Sequence, residues 1–105
     1  MRIIETPIFT KRVLEILSEE EYRLLQIKLM QNPKAGNIIQ GNSGIRKIRW
    51  AGSGRGKRGG SRILYYWHVE EKLILMLFIF RKNEVDDLTK EQLKILKTIV
   101  ESEYQ

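Results

Sequence analysis

Cysteine is absent from this 105-residue chain, histidine occurs once, as His68, and proline only twice. The missing cysteines exclude a disulfide scaffold, a thiol nucleophile and a cysteine zinc site, and they are compatible with any redox compartment. A single histidine supports no histidine-rich metal cluster and weighs against a Ser-His-Asp triad. Long apolar runs are also missing. The longest, Leu73–Phe80, is less than half of the roughly 20 residues a membrane-spanning helix needs, and Met1–Val13 has no extended apolar stretch of the secretory kind. These absences predict a soluble cytoplasmic protein with no membrane association. A chain of this length buries roughly 60–70% of the surface its unfolded form exposes, enough for one modest core without disulfide or metal. Residues 1–105 are therefore expected to form one domain.

Positive charge, in contrast, is abundant and unevenly spread. The chain has 19 Lys and Arg against 13 Asp and Glu, a net charge of +6. Seven of those cations (Arg46, Lys47, Arg49, Arg55, Lys57, Arg58 and Arg62) fall between residues 46 and 62 with no acid among them, which leaves 12 bases against 13 acids elsewhere. Segregation of this kind points to a polyanion-binding face. A solvated basic surface is the plainer alternative.

The pattern of apolar residues sets out the elements. Arg2–Glu5 reads as a short strand; Pro7 then opens a helix over about 7–17, carrying Ile8, Phe9, Val13, Ile16 and Leu17 at near-helical spacing. Ser18 and Glu21 fit a capping box that starts a second helix, with Tyr22, Leu25 and Leu29 on its buried stripe, ending near Asn32 ahead of Pro33. Lys34–Gly44 is loop by composition. In Ile45–Trp50 a period of two sets Lys47 and Arg49 on one face and Ile48 and Trp50 on the other. Ala51–Gly60, with five of the eight glycines, reads as loop. Arg62–Val69 and Leu73–Phe80 read as a hairpin through Glu70–Lys72, the second run apolar on both faces as a covered central strand would be, with a buried helix of that length as the alternative that periodicity alone leaves open. Thr89 and Gln92 offer a second capping box, opening a helix from about 90 whose stripe is Leu93, Leu96 and Val100. The order β, α, α, β, β, β, α predicts an α+β domain: two N-terminal helices and a C-terminal helix packed on a mainly antiparallel sheet of about four strands.

Few motifs carry chemistry. Gly52–Arg58 superficially suggests a phosphate-binding P-loop, but the required first glycine is Ala51, the Ser/Thr after Lys57 is Arg58, and no parallel βαβ unit surrounds it. A basic loop reaching along a phosphate backbone fits better. His68 reads as structural, since no orienting carboxylate lies near it in sequence. Tyr65, Tyr66 and Trp67 cannot all serve one base-stacking site, because neighbouring strand residues face opposite ways. If the strands pair in sequence order, Arg62 and Lys82 meet at the hairpin ends and Lys47 and Arg49 lie beside them. Such a cluster stabilises the charge of a phosphorane-like transition state, and crowded cations favour the neutral form that a base needs. Plain electrostatic binding explains it equally well at this stage.

Three stretches in order, Gly44–Arg49, Gly56–Tyr66 and Arg81–Glu84 ahead of Asp87-Leu88-Thr89, together with Asn32–Gly36 and Ile39-Gln40-Gly41, resemble toxins of the RelE/HigB superfamily of bacterial type II toxin–antitoxin systems, in particular the HigB branch with its Gly-Lys-Arg-Gly-Gly-Ser-Arg loop. The resemblance implies a small α+β domain with a twisted antiparallel sheet, acting as a metal-independent and cofactor-independent endoribonuclease on messenger RNA in the ribosomal A site. Attack by a 2′-hydroxyl on the adjacent phosphate is the implied chemistry, and inhibition of translation and growth the implied outcome. It further implies that Lys47 helps deprotonate the 2′-hydroxyl, that Arg62 and Lys82 stabilise the phosphate charge, and that Arg46, Arg49, Lys57 and Arg58 hold RNA. The implied partners are a cognate antitoxin, HigA-like with a helix-turn-helix domain, the 70S ribosome with its messenger, and operator DNA only through the antitoxin complex. The RelE branch carries a catalytic tyrosine near its C-terminus; Val85–Leu93 has none, and Tyr104 lies too far along the last helix to be assigned that role. A non-catalytic RNA- or ribosome-binding module is the alternative. A DNA-reading regulator fits less well, because the basic segment reads as strand and loop, not as a recognition helix.

Overall fold

The structure, a computed structural model, describes residues 1–51, 60–84 and 88–105. Strand β1 (Arg2–Glu5) leads into helices α1 (Pro7–Ile16) and α2 (Glu19–Gln31). Strands β2 (Asn37–Ile38), β3 (Ile45–Trp50), β4 (Ser61–His68) and β5 (Leu73–Arg81) follow, and α3 (Lys90–Tyr104) closes the chain. Each helix starts where a side chain satisfies an orphan amide. Ser18 with Glu21, and Thr89 with Gln92, form the two reciprocal capping boxes. Thr6, which sequence reading passed over, caps α1 through Phe9 N and donates its hydroxyl to Leu77 O at 2.8 Å.

The sheet runs β1-β5-β4-β3-β2. The sheet is mainly antiparallel, as expected; its strand count is corrected here and one pairing is added to the expectation. The sheet has five strands where about four were expected, because Asn37 and Ile38, inside the stretch read as loop, pair antiparallel with Lys47 and Arg46; two residues are too few to show a period. It is also mixed: β1 pairs parallel with β5, Ile3 beside Ile74, since α1 and α2 are inserted between β1 and the rest and return the chain in the same sense. The other pairings are antiparallel.

Both faces of the sheet are covered, which is why β5 is apolar on both sides. On one face, Phe9, Val13, Ile16, Leu25 and Leu29 of α1 and α2 meet Ile48, Ile63, Tyr65, Ile74, Met76 and Ile79. On the other, Leu96 and Val100 of α3 meet Ile45, Leu64, Leu75 and Leu77. Fully burying one such Leu or Ile is worth about 1.5–3 kcal/mol. A β-bulge interrupts β5: Leu64 pairs with Phe78, but Tyr65 pairs with Met76, leaving Leu77 as the extra residue. Thr6 receives that irregularity, its amide on Met76 O and its hydroxyl on Leu77 O. Among the described residues no helix is long and apolar enough to cross a membrane.

Candidate functional site

Strand alternation selects the residues of one cationic face. Lys47 pairs across the ladder with Leu64, and Arg49 with Arg62, so all three cations share the face that α3 covers at its other end. Phe80 pairs with Arg62. Lys82, two residues beyond Phe80, is fixed by its amide on Gly60 O at 3.0 Å. The bulge at Leu77 decides this placement. Met76 and Ile79 pack toward α1 and α2, while Leu77 and Phe78 both turn toward α3. Uninterrupted alternation from Met76 would have sent Lys82 to the opposite face from Arg62.

The cations line an open hollow of about 660 Å³ at the sheet margin. Lys47, Ile48, Arg49, Arg62 and Lys82 form one side, and Lys28, Asn32, Ala35 and Asn37 the other. Both strand parities contribute because β2 pairs no further along β3 than Lys47, so Ile48–Trp50 has no described strand on its outer side. Among the described residues, five cations and no acid line this space. Like charges directly opposite on an antiparallel pair, as Arg49 and Arg62 are, cost on the order of several tenths of a kcal/mol, which an anionic partner offsets. Arg62 is only 5% exposed and donates to Ser61 O at 3.2 Å, whereas Arg49 is exposed and Lys47 and Lys82 half-buried. The hollow therefore offers charges at several depths to a phosphate chain.

The turn carrying Lys82 is tied to α1. Glu84 accepts from the Arg81 amide at 2.8 Å and from Arg12 at 3.0 Å, and Arg81 reaches Glu15 O near the α1 C-terminus. The Arg81 amide, with Arg12 and Arg81 as cations nearby, holds the Glu84 carboxyl below its ordinary value. On the other side, Tyr65 is fully buried and its hydroxyl accepts from Gly36 N at 2.8 Å while donating to Pro33 O at 2.7 Å. Burial pushes this hydroxyl up, opposed by the Gly36 amide and the Arg46 charge.

Arg46 does not line the hollow. It faces the same way as Ile48 and Trp50 and donates to Gly36 O at 2.8 Å, as the strand period requires of a residue one step from Lys47. Lys57 and Arg58 lie outside the described residues. His68 forms a cluster of three rings with Tyr66 and Tyr104, at ring distances of 6.1 and 5.0 Å, and Glu71 lies 3.5 Å from it, a carboxylate three residues on that corrects the expectation of none nearby. His68 lies six residues along β4 from Arg62, roughly 20 Å, which removes it and Tyr104 from the hollow. Tyr65 and Trp67 pack toward α1 and α2, and Tyr66 toward α3. Sequence reading missed Lys28, Asn32 and Asn37; the only available signal was the i, i+4 spacing that puts Lys28 and Asn32 on one side of α2.

No family model matches the sequence. Solved structures with the same fold include the intact E. coli RelBE toxin–antitoxin complex, 14% identical with a TM-score of 0.58 over 75% of this chain and 93% of that one. The isolated E. coli RelE toxin is 16% identical, with a TM-score of 0.58 over 92% and 96% of the two chains. A mutant of E. coli RelE in the free state gives 15% and 0.56 over 80% and 85%. The chain thus has the RelE fold.

Proposed function

We propose that this chain, built on the RelE fold, is the toxin of a type II toxin–antitoxin pair, of the HigB branch, and cleaves translated messenger RNA on the ribosome. The observation that carries this reading is the gathering of Lys47, Arg49, Arg62 and Lys82 in one hollow that no acid among the described residues lines. In the proposed reaction a 2′-hydroxyl oxygen bonds to the adjacent phosphorus and the bond to the 5′-oxygen breaks, the leaving oxygen taking a proton from solvent water, so that a 2′,3′-cyclic phosphate and a 5′-hydroxyl remain. Lys47 takes the 2′-hydroxyl proton, Arg62 and Lys82 stabilise the developing charge, and Arg49, Lys57 and Arg58 hold the strand. No metal or cofactor enters the scheme. The ribosome supplies substrate orientation, which is worth most to a site with few acid–base groups. A HigA-like antitoxin with a helix-turn-helix domain masks the site and brings the complex to operator DNA.

One observation favours a second reading, an RNA- or ribosome-binding module without turnover: no described His, Tyr, Asp or Glu lines the hollow. Induced expression with and without the neighbouring gene, followed by mapping of messenger 5′ ends, separates the two. New ends within translated frames, suppressed by the neighbour, are expected. Arg62→Gln with Lys82→Ala should remove at least about 10²-fold of cleavage, the scale for losing a preorganised charge stabiliser, with the fold retained by circular dichroism. A folded double variant that cleaves at the normal rate overturns the assignment; ribosome association with intact messengers supports the binding module.

A further inference from the structure

The cations of the hollow suit phosphate, and phosphate contacts carry no sequence information. Among the described residues, the two remaining polar side chains that line it are Asn32 and Asn37. A carboxamide presents a donor and an acceptor together, the pattern that pairs with the edge of an unstacked base in single-stranded RNA. Among the described residues neither side-chain amide has a hydrogen-bond partner. Asn37 also pairs across the ladder with Lys47, so a nucleotide held at Lys47 has this amide beside it.

The connection that carries both asparagines is held at most of its backbone groups. Asn32 N bonds Lys28 O at 2.9 Å and Ala35 N bonds Asn32 O at 3.0 Å. The Tyr65 hydroxyl takes Gly36 N and Pro33 O, and Arg46 takes Gly36 O and, at 3.4 Å, Lys34 O. A Cβ on Gly36 would stand 2.9 Å from Lys47 O and 2.9 Å from the Tyr65 ring, so this backbone lies directly on β3 and β4. Surface connections are ordinarily mobile, and discrimination between bases needs groups fixed to within about 0.5 Å.

We propose that Asn32 and Asn37 form a base-reading wall of the hollow, and that Tyr65, Arg46 and Gly36 are positioning residues that hold this wall against the cations. This inference rests on single-stranded RNA being the hollow's ligand. It gives Arg46 a role behind the site in place of direct contact with RNA.

The test is binding of the full chain to labelled hexamers of adenylate, cytidylate and uridylate, followed by fluorescence anisotropy, alongside the 5′-end mapping. The wild-type chain is expected to separate its best from its worst hexamer by about tenfold or more, the range of one well-made amide–base pair. Asn32→Ala with Asn37→Ala should compress that to under about threefold while the salt dependence, set by the cations, stays unchanged. Tyr65→Phe, read at a temperature where it is folded, should compress it as well; a role for Tyr65 in stability alone leaves the preference intact. Equal binding of all three hexamers by the wild type, or undiminished preference in the double asparagine variant, overturns the proposal. Preferential binding without messenger cleavage overturns the catalytic reading and leaves the base-reading wall standing. Absence of any hexamer binding overturns the base-reading wall, and the catalytic reading then stands or falls on the 5′-end mapping alone.

Discussion

Replacing Tyr65 by Phe removes one oxygen from the core and leaves the ring. The consequences are calculable because both partners of that oxygen are known. Gly36 is buried, and its amide at 2.8 Å loses its acceptor, which costs about 1–3 kcal/mol for a stranded buried donor. Pro33 O, at 2.7 Å in a partly buried position, loses an ordinary hydrogen bond worth about 0.5–1.5 kcal/mol. The variant should therefore be destabilised by about 2–4 kcal/mol. At roughly 4–8 °C per kcal/mol for a domain of this size, its Tm should fall by roughly 8–32 °C. Urea unfolding followed by circular dichroism is the assay, with the midpoint lowered and the slope unchanged. A loss below about 0.5 kcal/mol would refute the claim that this hydroxyl pins the connection, and with it the mechanical basis of the wall.

Other perturbations follow from the same geometry. At Gly60, with φ +57°, an added Cβ would sit 2.2 Å from Trp50 O, whereas at Gly41, φ +75°, it meets nothing within 4 Å. Gly41→Ala should thus cost only the left-handed backbone term of about 1–2 kcal/mol, and Gly60→Ala more than that by about 2 kcal/mol or above; equal urea midpoints would contradict the contact. Glu84 is held below its usual value of 4.5, so its contribution to stability is present above that value and lost as pH falls through the lowered one. Because its side chain is 36% exposed, Glu84→Gln should cost less than about 1 kcal/mol at pH 7, and the gap from wild type should close on acid titration. If four cations hold phosphates, the logarithm of affinity for single-stranded RNA should fall with the logarithm of salt at a slope of roughly −3, reduced by about 0.7 in Lys82→Ala. A slope near zero would remove phosphate from the account.

Local chemistry was legible in the sequence wherever it repeats over several residues. Two capping boxes, the apolar stripes of the three helices, the alternation in Ile45–Trp50 and the doubly apolar Leu73–Phe80 each state a local preference that packing had no cause to override. That alternation alone separates Lys47 and Arg49 from Arg46. The same segment shows where legibility stops: the period says that Arg46 faces away from its neighbours but not that Gly36 O waits there to receive it.

What only the tertiary structure decided involves residues distant in sequence. The parallel pairing of β1 with β5 and the two-residue β2 depend on partners dozens of positions away or too short a run to read. Lys28 and Asn32 enter the hollow because α2 ends beside the margin of β3. The face on which Lys82 stands is set by one extra residue, Leu77, whose carbonyl is met by Thr6 from the other end of the chain. Composition determined that this protein would present a concentrated positive charge. Which cations share one hollow was decided by strand register and a bulge, because side-chain direction in a sheet reverses at every residue and a single insertion inverts all that follow.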